Sequence, residues 1–249
     1  MKLFRMKKYN FVTVLWFITA IMTASTSVYS LSSAGAWERQ VLQGETQTTE
    51  VLLIAGNYFS WTAYITSSGE FISTKGGVWN TAHDPVIFTY EFHTKDSTLV
   101  GSTESWSVKI KGNHMSMISG KNKLSWTRSS SPEQTALSGA FLFAGRKGND
   151  QVISRRDTNQ PRKTLKLLAG GHFQWIAYNT ETKQFFGTGG GIYTAQGGQY
   201  NETIRFFSRD VKRVGAVLIF EFSLLDSEWH HSGKSSSGEP MYEIWAPRG

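Results

Sequence analysis

The residues of this sequence that could do chemistry are few, and they gather late in the chain. His230 and His231 stand side by side, and Tyr242 and Glu243 follow them. Glu202, Arg205 and Glu221 precede them. A histidine meeting a carboxylate can act as an acid/base pair, because each shifts the other's pKa. His231, Tyr242 and Glu202 are therefore the candidate proton-transfer groups. Metal binding is not expected. Neighbours on a strand point to opposite faces, so the two histidines would not share an ion. Zinc also needs three or four ligands, and neither His-x-His nor His-Glu-x-x-His occurs. Gly187-Thr188-Gly189-Gly190-Gly191 resembles a phosphate cradle, but a cradle needs a following helix. Ile192-Tyr193-Thr194 reads as strand, so these glycines predict a bent strand instead. The serines of Ser235-Ser236-Ser237-Gly238 sit in a turn, and there is no Gly-x-Ser-x-Gly motif. No cysteine is present, which removes thiolate chemistry and disulfides. No motif calls for a cofactor.

The elements that must position these groups are strands. Phe173, Trp175 and Ala177 alternate with His172, Gln174 and Tyr178, the period of a β-strand. Further strands are predicted over 141–146, 164–170, 184–195, 200–209, 216–225, 229–235 and 241–248. Turn signals at Thr180–Lys183 and Gly197-Gly198 separate some of them. Eight short strands in about 100 residues fit a small closed antiparallel barrel, which leaves no exposed edge. Inside such a barrel, one or two charges among aromatic walls would orient a ligand. Glu202 shares a face with Ile204 and Phe206, Glu243 with Trp245 and His231 with Trp229. The candidate ligand-binding residues are Trp175, Tyr178, Glu202, Arg205, His231 and Glu243. His172 and Tyr178 lie opposite Trp175. They could stack on sugar rings or pack against another unit.

The chain contains an internal repeat. Residues 51–77 align without a gap with 165–191, at a constant offset of 114. Identical pairs include Ala55/Ala169, Phe59/Phe173, Trp61/Trp175, Tyr64/Tyr178, Phe71/Phe185 and Gly77/Gly191. Gly35-Ala36-Trp37 precedes the first copy and Gly139-Ala140-Phe141 the second. Each copy ends on a tryptophan followed closely by an arginine, Trp126 with Arg128 and Trp245 with Arg248. The units are residues 35–128 and 138–249, and the polar stretch 129–137 reads as a linker. The fold expected is all-β: two tandem, about eight-stranded barrels. A single barrel or sandwich built jointly by both copies is the alternative.

The first thirty residues read as a signal peptide. Lys2, Arg5, Lys7 and Lys8 precede an apolar run from Phe11 to Met22, and small and polar residues follow. That run is too short to span a bilayer, which takes about 20 apolar residues. The expected location is secreted or periplasmic, with no membrane span after cleavage and no lipid-anchor cysteine. Removing the leader matters to the charge. The full chain carries +7, from 26 basic and 19 acidic residues. Without the four leader cations the balance is +3, an ordinary surface charge and not a nucleic-acid footprint. The remaining basic residues Arg146, Lys147, Arg155, Arg156, Arg162, Lys163 and Lys166 read as a solvated connection, or as a patch for an anionic partner.

The pattern resembles the lipocalin-like (calycin) superfamily. The residues that carry the resemblance are Gly35-x-Trp37 on the first strand and Arg128 on the last. The resemblance implies a barrel whose tryptophan packs on that arginine at the closed end. It gives Trp37, Arg128 and Arg248 structural roles, with Phe141 replacing the tryptophan in the second unit. The second unit also resembles uncharacterised bacterial secreted lipocalin-like proteins, through Phe173-x-Trp175-x-Ala177-Tyr178, Thr188-Gly189-Gly190-Gly191 and Trp229 to Trp245.

Three functions remain open from the residues. The first is a binding protein for a small apolar or amphipathic ligand, held in the second barrel. The second is a glycan-related protein, either a sugar-binding module or a polysaccharide lyase or hydrolase using His231, Tyr242 and a glutamate. The third is a structural or interaction protein with filled barrels. Binding is favoured over catalysis.

Overall fold

A computed structural model of the chain describes residues 33–129, 135–148, 150–235 and 237–249. The segment read as a signal peptide and most of the expected linker lie outside the described residues.

The fold is all-β, with two closed eight-stranded antiparallel barrels. The first barrel is a meander of β1 (Gly35–Gln43), β2 (Thr46–Ala55), β3 (Tyr58–Ile65), β4 (Phe71–Asn80), β5 (Val86–His93), β6 (Thr103–Lys111), β7 (His114–Ser119) and β8 (Asn122–Arg128). Pairing of β1 with β8 closes it. The second uses β9 (Gly139–Lys147), β11 (Arg162–Ala169), β12 (His172–Asn179), β13 (Phe185–Gln196), β14 (Gln199–Phe207), β15 (Val217–Leu225), β16 (Glu228–Lys234) and β17 (Pro240–Pro247). Pairing of β17 with β9 closes it. The short β10 (Ile153–Arg155) lies outside, hydrogen-bonded along β9. It had no signature in the sequence because its three residues are all exposed.

Most strands set large apolar residues at alternate positions that point into a barrel, while β2 and β11 are apolar on both faces. Trp37, Leu52, Phe59, Trp79, Phe88, Met115, Met117 and Trp126 fill the first interior. Phe141, Phe173, Tyr200, Phe220, Trp229 and Trp245 fill much of the second. The glycine-rich strands bend as expected. The register shifts between Gly76 and Gly77, and again between Gly190 and Gly191. A Cβ on Gly191 would lie 2.0 Å from Thr203 O, so the strands approach more closely there than any side chain allows.

At the β1–β8 seam of the first barrel, Trp37 pairs with Arg128. The guanidinium lies 4.0 Å from the indole centroid and donates to Ala34 O. The second barrel departs from this arrangement. Arg248 reaches out of its own barrel to Glu91 of the first, with contacts of 2.8 and 2.5 Å.

A third apolar cluster lies between the barrels. Outward side chains of β2, Val51 and Leu53, pack with Leu165, Leu167 and Ile176 of β11 and β12. The contacts follow the repeat. Tyr64 stacks on Phe206, and their counterparts Tyr178 and Phe92 pack on each other. Phe71 stacks on its own repeat partner Phe185. This is the signature of a local two-fold relation between the copies. Near its centre Gln174 accepts from Thr62 and donates to Thr74 and Thr188.

Leu137 belongs by sequence to the linker, yet it is fully buried in the core of the second barrel. Nearby Thr135 meets Tyr193 at its hydroxyl.

Candidate functional site

The repeat allows the two interiors to be compared position by position. Strand register extends the offset of 114 into β6, β7, β15 and β16, since Val108 pairs with Met117 as Phe222 pairs with His231. It then matches Leu124 to Glu243, each opposite that β7 or β16 residue. Four interior positions of the first barrel are Leu52, Phe88, Met117 and Leu124. Their counterparts in the second are Lys166, Glu202, His231 and Glu243. Four apolar side chains have thus become four titratable ones.

The next layer shows the reverse. In the first barrel it is polar: Arg39 pairs with Glu50 at 2.8 Å, Trp61 donates to Glu50, and Lys75 lies 4.3 Å from the Trp61 centroid. Tyr90 donates to Glu104, and Lys75 lies 3.7 Å from the same carboxylate. Register puts Phe143, Thr164, Trp175, Gly189, Ile204 and Leu218 at these places in the second barrel. The charged side chains have become apolar (Phe143, Leu218), uncharged and small (Thr164) or absent (Gly189). Gly189 in place of Lys75 lets Phe207 and Trp175 pack against the bare backbone, where a Cβ would lie 2.7 and 2.8 Å from their rings.

The result is a cavity of about 230 Å³ inside the second barrel. Its apolar walls are Phe173, Trp175, Phe207, Leu218, Phe220, Met241 and Trp245, and Lys166, Glu202, His231 and Glu243 also line it.

Each polar group is held by more than one contact. Lys166 Nζ lies 2.7 Å from Glu202 Oε1, and both side chains are almost fully buried. Tyr200 donates to the same oxygen at 2.7 Å. Burial, then the charge of Glu202, pushes the Tyr200 phenol well above its ordinary pKa, so it stays a donor. Lys166 is ringed by aromatic faces, with Nζ 4.9 Å from the Trp229 centroid and 5.2 Å from those of Tyr200 and Trp245.

His231 Nε2 lies 3.0 Å from Glu243 Oε2. Trp245 Nε1 donates to the same carboxylate oxygen at 3.0 Å. An anionic oxygen accepts only, so the His231 proton sits on Nε2 and Nδ1 carries the lone pair. Nδ1 is buried and has no hydrogen-bond partner among the described residues. Burial pushes the imidazole pKa down, and the Glu243 hydrogen bond offsets this only in part. His231 is therefore neutral at pH 7. For Glu243, burial raises the pKa, but the hydrogen bonds from His231 and Trp245 and the charge of Lys166 keep it lowered. Its carboxyl is ionised.

The structure brings Trp175, Glu202, His231 and Glu243 together in one cavity. It separates the other candidates from them. Tyr178 is buried between the barrels, where it donates to Glu91 at 2.5 Å and accepts from Arg248. Arg205 lies at the same junction, beside Tyr64 and His172. Tyr178 and Arg205, expected at the ligand site, do not line this cavity. The two copies dock through the outer faces of the strands that carry these residues. Tyr242 does not line the cavity either. It faces outwards with His230, whose Nδ1 lies 2.9 Å from its hydroxyl. Residues one apart on a strand point to opposite faces, so Tyr242 does not face His231.

Lys166 is the residue that sequence reasoning missed. It was grouped with a solvated basic stretch, whereas it is 4% exposed. A signal existed. Its neighbours Leu165, Leu167 and Leu168 are apolar, and the repeat aligns it with Leu52.

No protein-family model matches the chain, and no curated protein matches it.

Proposed function

We propose that this is an exported binding protein of lipocalin-like (calycin) architecture, whose second barrel holds a small amphipathic ligand. The observation that carries this reading is the exchange of Leu52, Phe88, Met117 and Leu124 for Lys166, Glu202, His231 and Glu243. Burying charged groups is costly, and a well-packed apolar set at the same positions is often as stable or more so. A fold that already has an apolar solution in its first copy does not need the charged one for stability. The smaller side chains Thr164 and Ile204, which stand in place of Glu50 and Tyr90 and line the cavity, support the same reading, because they give these groups a space to act on. The first barrel, with its interior filled, acts as the docking partner.

The cavity is smaller than the about 300–1,000 Å³ typical of drug-sized ligands. Its occupant is correspondingly small, with an apolar body against Trp175, Phe207 and Phe220 and a polar head at the buried quartet. A polysaccharide strand does not match so small a space.

Native mass spectrometry of protein taken from its own compartment, compared with its denatured mass, tests the proposal. A bound small molecule that is lost in the Trp175→Ala variant is the expected result. A bound molecule retained by that variant overturns this site.

A further inference from the structure

The charges of the cavity specify the ligand more narrowly; this step rests on the binding reading above. Lys166 is already matched by Glu202 at 2.7 Å. His231 is neutral, because burial disfavours the imidazolium. The carboxylate of Glu243 is then left without a cation among the groups lining the cavity. Two acidic side chains meet one basic one, and one negative charge remains in a space walled by aromatic rings.

The free acceptors agree with that count. Glu243 receives both Trp245 Nε1 and His231 Nε2 on its Oε2 atom. Glu202 receives both Lys166 Nζ and Tyr200 Oη on its Oε1 atom. Among the described residues, the other oxygen of each carboxylate carries no hydrogen bond. A bound carboxylate or phosphate would add a second uncompensated negative charge in a medium where repulsion is strong. A cation would neutralise the site, donate to the free oxygens and face aromatic rings.

We propose that the second barrel binds a small organic monocation, an amine or ammonium group carried on an apolar body. The apolar mouth selects the body and Glu243 selects the charge.

Three probes with one shared apolar body test this on the whole protein: 2-phenylethylamine, 2-phenylethanol and 3-phenylpropionate, titrated calorimetrically at pH 7 and followed by tryptophan fluorescence. The amine should bind at least ten-fold more tightly than the alcohol, and the carboxylate most weakly. Glu243→Gln keeps an acceptor for Trp245 and should bring the amine down to the alcohol. If the alcohol binds as well as the amine, or the carboxylate binds best, the cation proposal fails while the binding reading stands. If none of the three binds, both fail. The wild-type ranking decides the matter even if the variant does not fold.

Discussion

Lys166 and Leu52 occupy the same position in two copies of one barrel. The leucine packs into an apolar core, while the lysine pairs with Glu202, 2.7 Å away, in the lining of a cavity. The pair replaces Leu52 and Phe88 of the first copy, so the chain holds both an apolar and an ionic solution to the same place.

That duplication makes the stability cost of the ion pair measurable. Removing one partner leaves a buried charge unpaired, which costs about 3–5 kcal/mol. Lys166→Met alone should therefore destabilise the protein by that order in urea unfolding. The double variant Lys166→Met with Glu202→Gln should recover most of the loss, since the glutamine still accepts from Tyr200. A double variant as unstable as the sum of the single ones would show that the pair stabilises the fold in its own right.

Stability should fall on mild acidification because of His231. Its pKa is lowered in the folded state, so the unfolded chain takes up the proton first. The contribution is fully present above the unfolded value of about 6.5 and is lost as pH falls below it. The lowered carboxyls of Glu243, Glu38 and Glu91 act later, below their ordinary value of about 4.5. Thermal melts of wild type between pH 7.5 and 5 should show a decline that His231→Gln reduces. An unchanged slope in that variant would locate the titration elsewhere.

The glycines of β13 should respond differently to the same change. An alanine at Gly191 would put its Cβ 2.0 Å from backbone oxygen, which cannot move away cheaply. Gly191→Ala should cost more than about 2 kcal/mol or prevent folding, in the manner of overpacked cores. At Gly189 the nearest atoms are the side-chain ends of Phe207 at 2.7 Å and Trp175 at 2.8 Å. Gly189→Ala should fold, shift those two rings and weaken ligand binding several-fold. Chemical denaturation and ligand titration of both variants check the contrast.

Docking of the barrels depends on Glu91. It accepts from Arg248 and Tyr178, and these hydrogen bonds outweigh the burial that would otherwise raise its pKa. Glu91→Leu leaves Arg248 and the Tyr178 hydroxyl without their partner at a buried junction. The expected loss is about 3–5 kcal/mol, with one cooperative melting transition splitting into two. A single unshifted transition would show that the apolar contacts of Phe92 with Tyr178 and Tyr64 with Phe206 suffice.

Much of the fold could be read from the sequence because its signals are local or periodic. Strand alternation exposes β12, and turn residues separate its neighbours. An ungapped repeat exposes two copies of one unit, and Trp37 and Arg128 mark where the first barrel closes. The inward pointing of Glu202, His231 and Glu243 followed from parity along single strands. The tertiary structure decided what parity alone leaves open. Two closed barrels have inner faces, outer faces and a shared face. Pairing register, and the bulges at Gly77 and Gly191, assign each side chain to one of these. Tyr178 and Arg205 went to the shared face because the copies dock there, and Lys166 went inside because β11 presents that side to the lumen. The cavity itself belongs to no single strand. It exists because the smaller side chains Thr164 and Ile204 are brought into one place only when the barrel closes.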